Sequence, residues 1–470
     1  MSSDNGPTFV SRRRFVSLAA AGMAGLALAA CRGSGAGTQS AGGGQPTSAG
    51  QPAGQPTSAA TGAQQAPAQA GGAVTNIKWS TWGNPGEIDR FKAFTEDFNK
   101  RTPNVKAELV PIPTDGYAAK MLTQLSGGTA PDVFYSGDGD IGKLIDSKLL
   151  TELTEKLKGD KSKSKPEDFF DGLWGAAKAP DGKIYGVTVD CNPMVLWYNK
   201  KILQDAGVAQ LPADMAKAGQ WDWKAFGAIL DQVVAKGKRG FIHDNWWATN
   251  YGWTTLNGGK IVDGGKFVAN TDPKAVEAFQ FIYDNLQKKT FTYTGSLPKG
   301  QGIDAMFLSQ QAAFIGAGRW LLPVFKKAQG LDFDIVTYPA NTGKKIESAP
   351  IPTAYMVINA ATPNQDAAFT FLTDFVSKDG QIFRLKGGGN AVPAVRGADD
   401  VVAEDNIPPN WQALLDAREV GYAHYAEIAR VPGLADDIAK TFDELWLQGG
   451  DVKTTLNKVA DMANSKMQAA

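Results

Sequence analysis

Residues 32–73 carry no large apolar side chain and a single charge, Arg32, so any fold of this 470-residue chain must be built from the residues C-terminal to them. Gln45-Pro46-Thr47-Ser48-Ala49 recurs at Gln55-Pro56-Thr57-Ser58-Ala59, with a partial copy at Gln51-Pro52-Ala53-Gly54. Such composition buries too little surface to offset the entropy of ordering it. The stretch is expected to behave as a flexible tether with ends on the order of 35 Å apart. Roughly 400 residues remain, enough for two or three domain-sized cores.

The residues before the tether read as an export signal. Ser11-Arg12-Arg13-Arg14-Phe15-Val16 supplies the charge, and Val16 to Ala30 is an uncharged, Ala/Gly-rich run. That run is shorter than the ~20 apolar residues a bilayer span needs. The Ser-Arg-Arg-x-Phe pattern resembles the twin-arginine signal; a general secretory signal fits the same residues. Leu28-Ala29-Ala30-Cys31 resembles a bacterial lipobox, in which the cysteine is acylated and becomes the mature N-terminus. Small residues before Cys31, the apolar run and the tether after it favour lipidation over a chance cysteine. Two acyl chains hold a protein firmly at a membrane. The expectation is a signal over 1–30, an anchor and linker over 31–73, and an extracytoplasmic, lipid-anchored domain beyond.

Charge narrows the function of that domain. With 48 basic and 48 acidic residues the chain has no basic footprint for nucleic acid. Beyond Cys31 the only cysteine is Cys191 and the only histidines are His243 and His424, which removes internal disulfides and Cys/His zinc sites. No cofactor or metal is expected. The G-x-S-x-G, H-E-x-x-H and Walker A patterns are absent.

Strand-like and helix-like segments alternate. Ile77 to Thr81 reads as a strand, and Ile88, Phe91, Phe94 and Phe98 mark one helix face. Val105 to Ile112 is a second strand, Tyr117 to Leu125 a helix ended by Gly127-Gly128, and Pro131 to Tyr135 a third strand. Asp272-Pro273 caps a helix bearing Val276, Phe279, Ile282, Tyr283 and Leu286. The pattern implies an α/β architecture with largely parallel sheets.

Several blocks then resemble one family. Tyr117 to Val133, ending Gly128-Thr129-Ala130-Pro131-Asp132-Val133, is similar to the helix, turn and strand of family 1 extracellular solute-binding proteins. Ile184-Tyr185-Gly186, Leu196 to Lys200, Ala206-Gly207-Val208, Trp221-Asp222-Trp223, Ala312 to Trp320, Ile358-Asn359-Ala360 and Gly389 to Pro393 continue the resemblance in order. It implies a two-lobe, type II periplasmic-binding-protein-like fold, closing on a solute in the cleft. The lobes would comprise 74–190 plus 356–393 and 191–355 plus 394–470, with crossings near 190–194, 353–356 and 391–395. The resemblance also implies a monomer that serves an ABC importer, in most members with sugars.

Ligands in open α/β sheets sit beyond the carboxyl ends of strands, where Trp82 and Asn84 stand; Trp79 shares the parity of Ile77 and is expected in the core. A sugar cleft should mix Trp and Tyr with Asp, Asn and Arg. Phe241 to Trp247 with Tyr251 and Trp253 is the densest such mixture; Trp246, Trp247 and Tyr251 are the candidates, with core packing as the competing role. Trp320 follows a strand where the resembling family places a cleft tryptophan, and Arg319 precedes it, to bind a hydroxyl or form an ion pair. Gly137-Asp138-Gly139-Asp140-Ile141-Gly142 fits G-x-G-x-x-G, but its carboxylates repel a pyrophosphate. Asp138 and Asp140 instead suit sugar hydroxyls or plain solvation. Asp190, Asn192, Tyr355 and Asn390 fall at the expected crossings, where they could contact solute or serve the hinge, and Cys191 is expected buried.

The residues therefore predict a non-enzymatic binder of a carbohydrate, neutral on this reading, delivering to an ABC permease. A non-sugar solute and a sensor partner fit the same fold. A secreted glycosidase would need two carboxylates at a defined separation, and nothing marks such a pair.

Overall fold

The computed structural model describes residues 73–469. The export signal, Cys31 and the linker through residue 72 lie outside the described residues. Strand β1, Thr75–Ser80, buries Ile77 and Trp79 and turns Asn76 and Lys78 outward. The helix Pro85–Arg101 follows, with Asn84 as its cap and Phe91, Phe94 and Phe98 buried against the sheet. β2, Val105–Leu109, pairs parallel with β1, as does β3, Val133–Gly137, after the helix Tyr117–Ser126. β4, Gly186–Cys191, ends the first pass through this lobe.

The second lobe contains β5, Val195–Asn199, and β6, Arg239–His243. A small hairpin comes next, made of β7, Val262–Asp263, and β8, Lys266–Phe267. The lobe continues with β9, Phe291–Tyr293, β10, Ala312–Ala317, and β11, Phe333–Val336. The helix Pro273–Gln287 starts as expected, with Asp272 accepting from the Ala275 N–H. β12, Thr353–Ile358, rejoins the first sheet. The sheet orders are β2-β1-β3-β12-β4 and β11-β5-β10-β6-β9. The fold is thus the α/β, two-sheet architecture expected.

The sheets are more mixed than the alternation implied. β12 runs antiparallel to β3 and β4, and β5 antiparallel to β10 and β11. Parallel neighbours need a long crossover connection, usually a helix. β4, β5 and β12 instead abut segments that pass between the sheets, so they enter without one. These segments bond to one another: Cys191 and Val392 exchange backbone hydrogen bonds, Asn192 N–H donates to Pro352 O, and Met194 N–H to Pro350 O. Cys191 is buried and free, as expected.

Residues beyond 393 divide between the lobes. Phe170 N–H donates to Ala394 O and Arg396 N–H to Asp168 O, holding that stretch to the first lobe. The helices Leu434–Gln448 and Val452–Ala469 pack on the second lobe, the latter against Pro273–Gln287 and β8. No helix of the described residues is long and apolar enough to cross a membrane.

Candidate functional site

A cavity of about 460 Å³ lies where the passing segments meet the carboxyl ends of β1, β3 and β10. Trp82, Asn84, Glu87, Tyr135 and Asp138 come from the first lobe, and Trp246, Asp304 and Trp320 from the second. Asp190, Asn192, Thr353 and Asn390 come from the segments between them. Each position has a local cause. The Asn84 side-chain oxygen accepts the Gly86 and Glu87 N–H groups, while the Glu87 carboxylate accepts the Asn84 N–H at 2.8 Å. This capping box fixes both side chains at the start of the helix. Asn84 Nδ2 also donates to the Trp320 carbonyl at 3.1 Å, joining the lobes across the cavity mouth.

The aromatic wall is assembled edge to face. Trp82 lies 4.9 Å from the Tyr117 ring and 5.4 Å from Tyr135, and Trp320 lies 6.2 Å from Trp246, all near perpendicular. Gly318 makes room for Trp320: a Cβ there would sit 2.3 Å from its ring and 2.6 Å from the Asn192 Cβ. Carboxylates line the same cavity. Asp190 pairs with Arg384 at 2.8 Å, and Arg384 also reaches Val189 O and covers the Phe375 ring at 4.0 Å. Asn390 Nδ2 donates to Glu87 at 2.9 Å, and Thr353 N–H reaches Asp138 at 3.3 Å.

Burial dominates the electrostatics. It pushes Glu87 up to about 7, partly offset by the Asn84 and Asn390 hydrogen bonds. It also pushes Asp138 up to about 7, against the pull of the Thr353 N–H. Asp190 is raised by burial as well, with Arg384 acting the other way.

Asp138 keeps a strip of accessible surface although atoms surround it on nearly every side. Because its folded value lies above the unfolded one, the folded state binds more protons between about pH 4 and 7. Its favourable contribution is complete below pH 4 and is lost as pH rises through 7. Asp138→Asn is therefore expected to flatten the decline in stability from pH 5 to pH 8 by about 2 kcal/mol. Urea unfolding of both proteins at the two pH values measures it; parallel declines would show that Asp138 is not the group responsible.

Of the residues singled out from sequence, the structure gathers Trp82, Asn84, Asp138, Asp190, Asn192, Trp246, Trp320 and Asn390 around the cavity. It does not gather the other five. Asp140 pairs with Lys143 and faces a separate crevice beside Tyr117. Trp247 sits behind the wall, 4.6 Å from the His424 ring. Tyr251 is buried and lies parallel to the His424 ring, 6.5 Å between centroids. Tyr355 lies in the inner strand β12, its hydroxyl donating to Leu173 O. Arg319 is 1% exposed and spans the lobes internally, donating to Ala391 O at 3.0 Å while its backbone N–H binds Asn192 Oδ1. Burial lowers its guanidinium to about 10. The chain's length and neighbours, not its charge, decide its place.

Sequence reasoning missed Glu87, Tyr135, Asp304 and Thr353. Glu87 had a signal, since Asn84-Pro85-Gly86-Glu87 has capping-box spacing; Tyr135 lies inside β3, two residues before its end.

Two lobes with a polar, aromatic cavity at their junction define a cleft-type binding protein. The chain matches the family described as "Bacterial extracellular solute-binding protein" over residues 84–382, and it belongs to that family. It is 23% identical over 334 residues to an uncharacterized lipoprotein of Streptomyces antibioticus, covering 69% of this chain and 71% of that protein. It is 27% identical over 285 residues to the diacetylchitobiose binding protein DasA of Streptomyces coelicolor, covering 59% of this chain and 63% of that one. The fold is shared with an ABC substrate-binding protein from Listeria monocytogenes in complex with cycloalternan. That likeness has a TM-score of 0.74 and 21% identity, over 84% of this chain and 99% of that one.

Proposed function

We propose that the protein captures a carbohydrate in the cavity and delivers it to an ABC importer, held at the outer face of the membrane by a lipid on Cys31. One observation carries the ligand class: three tryptophans and a tyrosine, contributed by both lobes, line one cavity together with carboxylates and amides. Sugar C–H faces stack on rings, and sugar hydroxyls pair with planar polar groups. The names of DasA and of the Listeria complex point the same way. The lipid anchor rests on the lipobox and on a relative named as a lipoprotein.

A thermal-shift screen of the full-length protein against mono- and oligosaccharides tests the reading. A ligand at 100 times its Kd adds about 2.7 kcal/mol to the folded state, so a fitting sugar is expected to raise the melting temperature by several degrees. If no sugar moves it and a peptide or phosphate ester does, the carbohydrate reading is abandoned.

A further inference from the structure

The charges lining the cavity all have one sign. Glu87, Asp138, Asp190 and Asp304 line it, and among the described residues no lysine, arginine or histidine does. Among the described residues, only Asp190 of these four has a cationic partner, Arg384. Glu87 and Asp138 receive N–H groups and, among the described residues, no cation. A second observation is independent of the acids. Asn390 is 3% exposed, and its Oδ1 has no hydrogen-bond partner among the described residues. Its Nδ2 is committed to Glu87, so the amide cannot be turned round without setting oxygen against oxygen. The buried Tyr135 hydroxyl is likewise unpartnered. Apart from the Tyr135 hydroxyl, which can donate or accept, the fixed polar groups here are acceptors, and the Glu87 and Asp138 carboxyls have no cationic partner among the described residues.

We propose that the cleft selects a carbohydrate bearing a protonated amine, whose ammonium group lies among Glu87, Asp138 and Asn390 with its ring against the tryptophans. This rests on the proposed carbohydrate function and sharpens it. A neutral sugar can donate hydroxyls to the same acceptors. It also displaces water from two carboxylates without supplying a counter-charge, and burying an unpaired charge is costly. An ammonium supplies three donors and the missing charge together. Tryptophan faces add a further attraction for cations.

Matched pairs separate the two ideas: glucosamine against glucose, galactosamine against galactose, and the fully deacetylated disaccharide of glucosamine against cellobiose. Titration calorimetry at pH 7.5 and low salt is expected to show at least one amine binding tenfold or more tighter than its hydroxyl counterpart. Glu87→Gln and Asp138→Asn should each bring that ratio below threefold. Either variant alone suffices if the other does not fold. Equal or tighter binding of the neutral partners overturns the amine inference and leaves the carbohydrate reading standing. A tenfold preference that survives both substitutions also overturns it, because the charge would be read elsewhere. If no member of the panel binds and no sugar shifts the melting temperature, both readings fall.

Discussion

Replacing Arg384 by methionine is expected to destabilise the protein by about 3–5 kcal/mol, with a larger loss at pH 8 than at pH 5. The guanidinium is fully buried, binds Asp190, Val189 O and Phe375 O, and lies flat over the Phe375 ring. Methionine fills much of the volume, so the loss is chiefly electrostatic: Asp190, 6% exposed, keeps its charge in a site that no longer answers it. Acid relieves the loss because Asp190 can then take a proton. Asp190→Asn combined with Arg384→Met should recover part of the stability, since removing both charges costs less than stranding one. Urea unfolding of the single and double variants reads these values. A single-variant loss below about 1 kcal/mol would mean that Asp190 is already neutral or hydrated.

Trp320→Ala is expected to weaken solute binding by about 2 kcal/mol or more, roughly 30-fold, with the unliganded melt close to the parent's. The ring is only partly buried, stands edge-on to Trp246, and packs against apolar clusters on both sides. Truncating it removes cavity wall rather than core. Trp197 is the contrast: fully buried, with Nε1 bonded to the carbonyls of Ala317 and Gly318, it belongs to the class whose truncation costs about 3–5 kcal/mol of fold. Calorimetry with a sugar from the screen, beside a melting curve, distinguishes the cases. A collapsed melting temperature for Trp320→Ala would place the ring in the core.

Local chemistry was legible in the sequence where one short segment determines it. The parity of Ile77 and Trp79, the Asp272-Pro273 helix start and the burial of Cys191 each depend on a few neighbours. Trp82 and Trp320 were legible because strand ends converge in such folds. Partners distant in the chain were not. Arg319 and Trp320 are adjacent, yet one spans the lobes internally and the other lines the cavity; the difference lies with Ala391 and Asn192, far away in sequence. Tyr251 and Trp247 sit beside a buried histidine contributed from residue 424. The antiparallel strands escaped alternation because it records which elements occur, not which way the chain re-enters a lobe.

The Asn84–Trp320 hydrogen bond is one of the links that join the two lobes beside the cavity. A net amide–carbonyl bond is worth about 0.5–1.5 kcal/mol, a factor of roughly two to ten in an equilibrium between open and shut forms. That is enough to bias the empty protein and too little to lock it. The same side chain also caps a helix with its oxygen, so the bias is held in register with the wall that receives the solute. Asn84 thus ties a helix cap of the first lobe to the Trp320 backbone of the second with the strength of a single hydrogen bond.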